Sequence, residues 1–148
     1  MISRVFLIPV QTSTDKLKTI LEICQDHFGR HQKLLIKTDS LQASRYLDDF
    51  LWKTPREGFL PHSIGLKEKT DDCICITHTK ENLSGANSCL NLTKEPLLPP
   101  SFAKIYDFDD KTSTEKERLS QFRFQMYKKS GIPITSLALL SKKTYNSL

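Results

Sequence analysis

Apolar and polar positions along the chain alternate in two kinds of block. Val5-Phe6-Leu7-Ile8 is a short apolar run that reads as a central strand, and Leu34-Leu35-Ile36 reads as a second. Between them Leu17, Ile20, Leu21, Cys24 and Phe28 recur at helical spacing on one face. Asp15 supplies an acid for the first turn, and Gly29 stands as the C-terminal stop. Asp39-Ser40 offers an N-cap for a second helix, with Ala43, Tyr46, Leu47, Phe50 and Leu51 along one stripe. Strand, helix, strand, helix at this spacing predicts parallel strands joined by right-handed crossovers.

Cys73-Ile74-Cys75-Ile76-Thr77 reads as the next strand, the polar stretch Thr79 to Ser88 as a loop, and Cys89-Leu90-Asn91-Leu92 as another strand. Pro96, Pro99 and Pro100 break the chain before a strand at Ala103 to Phe108. Thr114-Glu115-Lys116-Glu117 matches a capping box and predicts a third helix, with Leu119, Phe122 and Met126 as its inner stripe. Gly131 and Pro133 end that helix. The tail, about residues 136–148, is left as flexible or packed; it carries Leu137, Leu139 and Leu140, then Lys142 and Lys143. The expected fold is one α/β domain over residues 1–148. It is a three-layer α/β/α sandwich on a mostly parallel, Rossmann-like sheet.

Composition narrows the class. At 148 residues, 38% hydrophobic and 26% charged, the chain suits a soluble globule with a single core. No apolar run approaches the roughly 20 residues that span a bilayer. The opening segment lacks a clear basic leader and a small-residue cleavage site, so a cytoplasmic protein with reduced cysteines is expected. A net charge of +5 favours acidic partners.

Motifs for chemistry are sparse. With five glycines and neither G-x-G-x-x-G nor G-x-x-x-x-G-K-[ST], a backbone phosphate cradle is not expected, so no nucleotide cofactor is assigned. Cys73-x-Cys75-x-x-His78, with Cys89, is the best zinc candidate. C-x-C on a strand, however, places both thiols on one face, which is the pattern of a core strand, and no metal is expected. Asp107, Asp109 and Asp110 read as a solvated acidic loop at a strand end rather than a magnesium site. His62 lies in an aromatic turn. The rival to a non-catalytic reading is a small cytosolic enzyme using His62 with Asp48 or Asp49. The third helix interleaves Lys116, Arg118, Arg123, Lys128 and Lys129 with Phe122, Phe124 and Tyr127. This is either a solvated face, a site for an acidic peptide, or a direct contact to single-stranded DNA.

The densest signal is Tyr46 to His62. A helix carrying the only Trp, Trp52, ends in a polar break and then Phe59-Leu60-Pro61-His62, where large apolar groups crowd a connection that should be solvated. The order L-D-x-x-L-W, a Pro three residues on, then F-x-P-H resembles the chi subunit of bacterial DNA polymerase III. Tyr127-Lys128-Lys129-Ser130-Gly131 resembles the end of that family's last long helix. The resemblance implies a non-catalytic accessory subunit of the clamp-loader assembly, with no cofactor, no membrane contact and no sequence-specific DNA binding. It implies a psi-like partner at Trp52, Phe59, Leu60, Pro61 and His62; the sequence itself leaves the Trp52 surface open to another replication or repair protein, such as a helicase. It also implies a site on the last helix for the acidic C-terminal tail of the single-stranded DNA-binding protein. Gln121, Phe124 and Gln125 stand where the family usually carries an Arg, an aromatic and a Lys. Arg118, Arg123 and Lys128 are then expected to supply the charge, and the tail to bind more weakly than is usual for the family.

Overall fold

The computed structural model describes residues 2–53, 62–65 and 72–137. Its elements are β1 (Arg4–Val10), α1 (Ser13–Gly29), β2 (Leu34–Lys37), α2 (Leu41–Lys53), β3 (His62–Ile64), β4 (Ile74–Thr77), β5 (Ser88–Asn91), β6 (Lys104–Asp110), α3 (Thr114–Lys129) and β7 (Ile134–Ser136). The strands form one sheet in the order β3-β4-β2-β5-β6-β1-β7, and every neighbouring pair is parallel.

Crossover handedness explains the layers. The steps β1-α1-β2 and β2-α2-β3 travel one way along the sheet, while β6-α3-β7 travels the other. A right-handed crossover therefore lays α3 on the face opposite α1 and α2. The two cores agree. Ile20, Ile23 and Cys24 of α1 and Leu47 and Leu51 of α2 pack with Ile8, Ile36, Ile76 and Phe108. Tyr127 of α3 packs on the other face with Val5, Leu35, Cys89 and Ile105, where Leu97 and Phe102 from the β5–β6 connection complete the layer. The result is an α/β/α sandwich with a Rossmann-like sheet.

Several local expectations change. β1 lies between β6 and β7 near one edge, and β5 holds the centre. His62 to Ile64, expected as a turn, form the edge strand β3, and Ile134 to Ser136 form the opposite edge, β7. Leu137, placed in the tail by sequence, is buried, and its N–H donates to the carbonyl of Leu7 at 2.8 Å. Residues 138–148 lie outside the described residues. Helix α1 runs through Gly29, Arg30 caps it, and His31 takes the left-handed φ of 56°. Ser113, not Thr114, caps α3: its Oγ accepts from the N–H of Lys116 at 3.2 Å. Ser40 Oγ accepts from the N–H of Ala43 at 3.1 Å, as an N-cap should.

His27 sits buried beneath the sheet with both ring nitrogens engaged. Nδ1–H donates to the carbonyl of Gln32 at 3.0 Å, and Nε2 accepts the Tyr106 hydroxyl at 2.8 Å. That pattern fits the neutral ring. Burial holds its pKa below the ordinary 6.5, against the Gln32 hydrogen bond and with help from the charge of Lys104. The unfolded chain thus takes up this proton first as pH falls. The His27 contribution to stability is full above about pH 6.5 and declines as pH drops through that value, by at most about 1.36 kcal/mol per pH unit. Urea midpoints measured from neutral to mildly acidic pH should show this decline, and His27→Gln should flatten it. Identical pH profiles for the two proteins would contradict the assignment.

Candidate interaction surfaces

The last turns of α2 meet the edge strand β3, and here the structure joins residues fourteen apart in sequence. His62 Nε2 lies 3.1 Å from Asp48 Oδ1 and 3.2 Å from the Asp48 carbonyl, so this nitrogen carries the proton and donates to both. Trp52 Nε1 donates to the same Asp48 Oδ1 at 3.2 Å, and its ring lies over the His62 ring with centroids 4.3 Å apart. Asp48 thus anchors two rings at once. The His62 side chain has no exposed surface, whereas Trp52 is 49% exposed. Asp49 points elsewhere and pairs with Lys53 at 2.9 Å. The geometry is that of an indole tilted by 40° against a buried imidazole. Phe59, Leu60 and Pro61 lie outside the described residues.

Helix α3 presents a different inner face from the expected one. Ser120, Arg123 and Tyr127 point inward, and Phe122 is 43% exposed. Leu119 and Met126 are only partly covered. The stripe is rotated by one residue because the strand beneath it offers a charge. Asp107 projects from β6 toward α3 with no exposed surface. Its Oδ1 accepts from Arg123 Nε at 3.0 Å, and its Oδ2 accepts from the Tyr127 hydroxyl at 2.8 Å and Asn91 Nδ2 at 3.1 Å. The Arg123 guanidinium also donates to the Phe108 carbonyl and to Ser120 Oγ, both at 3.1 Å. Arg123, expected as a surface cation, is therefore an internal one. Burial pushes the Asp107 carboxyl above its ordinary value, and Arg123, with the Tyr127 and Asn91 hydrogen bonds, offsets only part of that rise.

The acidic trio is not a loop. Asp107, Asp109 and Asp110 belong to β6, and alternation splits them between faces. Asp110 pairs with Lys16 of α1 at 2.8 Å, bridging the carboxyl ends of the strands. A crevice of about 140 Å³ remains there, lined among others by Lys16, Asn91, Asp110 and Lys116. Burial works against the Asp110 charge, but Lys16 and Thr112 outweigh it and hold its carboxyl below the ordinary value.

The cysteines also depart from the expected geometry. Cys75 lies in the core under α3, but Cys73 precedes β4 and packs against the opposite core. Its thiol donates to the carbonyl of Gln32 at 3.2 Å. The one-face reading of C-x-C thus fails because the strand starts only at Ile74. Burial pushes the Cys89 thiol up to about 12. Among the described residues no cluster of three His, Cys, Asp or Glu side chains is arranged to hold a metal ion.

The outer face of α3 carries the remaining predicted residues. Gln121, Gln125 and Lys128 are exposed, and Phe124 is half-buried against the core. Arg118 is exposed and forms a two-pronged pair with Glu115, at 3.2 and 2.6 Å. From the sequence, Asn91 reads as a strand residue and Tyr127 as part of the third helix, and neither they nor Ser120 were expected to join an internal polar network with Asp107. The available signal was the i, i+3, i+7 spacing of Ser120, Arg123 and Tyr127 opposite a charged strand position. Among the described residues no helix is long and apolar enough to cross a membrane. Direct comparison with curated proteins finds no match. A family model described as DNA polymerase III chi subunit, HolC, matches residues 2–135 of the chain.

Proposed function

The chain belongs to the DNA polymerase III chi subunit family, whose role is that of a replication accessory subunit, and from that premise we propose a non-catalytic adaptor. In this reading it joins the clamp-loader assembly through a psi-like partner at the Trp52 surface. Through the outer face of α3 it holds the acidic C-terminal tail of the single-stranded DNA-binding protein. The observation that carries the tail site is the arrangement of Gln121, Gln125 and Lys128 around half-buried Phe124 on one exposed face. An apolar wall beside a cation suits an acidic peptide with an aromatic end. The alternative enzyme built on His62 and Asp48 finds its two groups in contact, yet the imidazole is sealed beneath Trp52 and offers no surface to a substrate.

Tail affinity should be modest. A terminal carboxylate held by Arg gains roughly 1.5–3 kcal/mol, and Gln121 lacks the ionic part of it. With Arg123 internal, Lys128 and Arg118 supply the charge, and Arg118 must share itself with Glu115. Calorimetry with the tail peptide at two salt concentrations tests this. Binding should weaken with added salt, tighten in Gln121→Arg, and weaken in Phe124→Ala and Lys128→Glu. Absence of binding by the wild type at low salt would show that this face is only solvated.

A further inference from the structure

At the end of the sheet opposite the Lys16–Asp110 bridge, the starts of β2, β5, β6 and β1 open into a groove of about 770 Å³. Lys33, Ser88, Lys104 and Arg4 mark its floor in that spatial order. Arg4 and Lys104 are direct register partners, and Lys33 immediately precedes β2. Three strand spacings separate Lys33 from Arg4, so the cations form a row roughly 14 Å long across the strands. His31, at its left-handed φ, stands at the rim. Among the described residues no carboxylate lines the groove. Asp26, whose charge is felt at Lys104, is engaged by Arg30 at 3.2 Å.

Lys104 is the key residue. It is half-buried, and its ammonium lies 5.7 Å from the Phe6 ring centroid and 5.9 Å from that of Tyr106. Among the described residues no carboxylate pairs with it. Burial, then the charge of Arg30, hold its pKa below the ordinary value. A desolvated cation backed by rings is stabilised by an incoming anion. Lys33 also lines the groove, with its ammonium donating to the Ser84 carbonyl at 2.9 Å.

We propose that this groove binds the phosphodiester backbone of single-stranded nucleic acid, without reading sequence, through Arg4, Lys33 and Lys104. Cations set on successive strand starts across the sheet match a linear polyanion. The rings that would hold an apolar side chain of an acidic peptide are already covered by Lys104, and Phe6 is 5% exposed. The site is separate from the outer face of α3.

The test is fluorescence anisotropy with a short labelled oligothymidylate over a range of salt. The wild type should bind at low salt. Arg4→Gln/Lys104→Gln should weaken binding by about tenfold or more. It should also shrink the slope of log affinity against log salt by about 1.4, about 0.7 for each lost single-strand phosphate contact. Arg4 is exposed, so Arg4→Gln alone should fold normally and should cost about half of that slope change. Arg118→Gln/Lys128→Gln should leave oligonucleotide binding unchanged, while the groove variant should leave tail-peptide calorimetry unchanged. Any of three results overturns the proposal: no binding by the wild type, wild-type affinity in both groove variants, or tighter binding of polyglutamate than of oligothymidylate. Loss of oligonucleotide binding in the α3 variant does so too.

Discussion

Arg123→Ala should destabilise the protein by about 3–5 kcal/mol, because it leaves a buried carboxylate without its counter-ion. Asp107 has no exposed surface, and its Arg123 partner is only 7% exposed. Native stabilities run at about 5–15 kcal/mol, so this one change removes a large share. Tyr127→Phe should cost less, about 1–3 kcal/mol: Asp107 keeps Arg123 and Asn91, but the N–H of Leu97 loses its acceptor. Arg118→Ala, on the exposed outer face, should leave the urea midpoint nearly unchanged, since its pair with Glu115 is solvated. The measurement is urea denaturation with the slope held in common. An Arg123→Ala midpoint within error of the Arg118→Ala midpoint would show that the pair does not hold α3 to the sheet.

The same pair shows where sequence reading stops. Strands β1, β2, β4, β5 and β6 are legible because each carries an apolar run buried on two faces, which only a parallel interior strand requires. Edge strands β3 and β7 have three residues each and mostly half-covered side chains, so neither period nor composition marks them. Helices α1 and α2 announce themselves by apolar stripes, but α3 rests on a charged strand and turns a polar stripe inward. A hydrophobic count therefore picks Leu119, Phe122 and Met126, one residue out of phase. The Trp52 segment was legible as an anomaly of composition. Its support was not, because the Asp48–His62 contact depends on β3 returning beside α2.

That support leads to the largest expected effect on binding. Trp52→Ala should weaken association with a psi-like partner by about 2 kcal/mol or more, the usual cost of truncating a central aromatic anchor. The indole is half exposed, so the change should barely move the unfolding midpoint. Its pose is fixed from below: Asp48 accepts its N–H, and His62 lies against its ring. An anchor already held by a hydrogen bond and a ring contact loses less conformational entropy on docking than a free one. Asp48→Ala should therefore weaken binding by less than Trp52→Ala. His62→Ala, which empties a buried site, should lower stability as well as affinity. Phe59→Ala, in the segment just after α2, should behave like Trp52→Ala. Calorimetry against the purified partner, paired with urea midpoints for each variant, separates these effects. Wild-type affinity in a folded Trp52→Ala protein would mean that the partner docks elsewhere and that the indole merely covers His62.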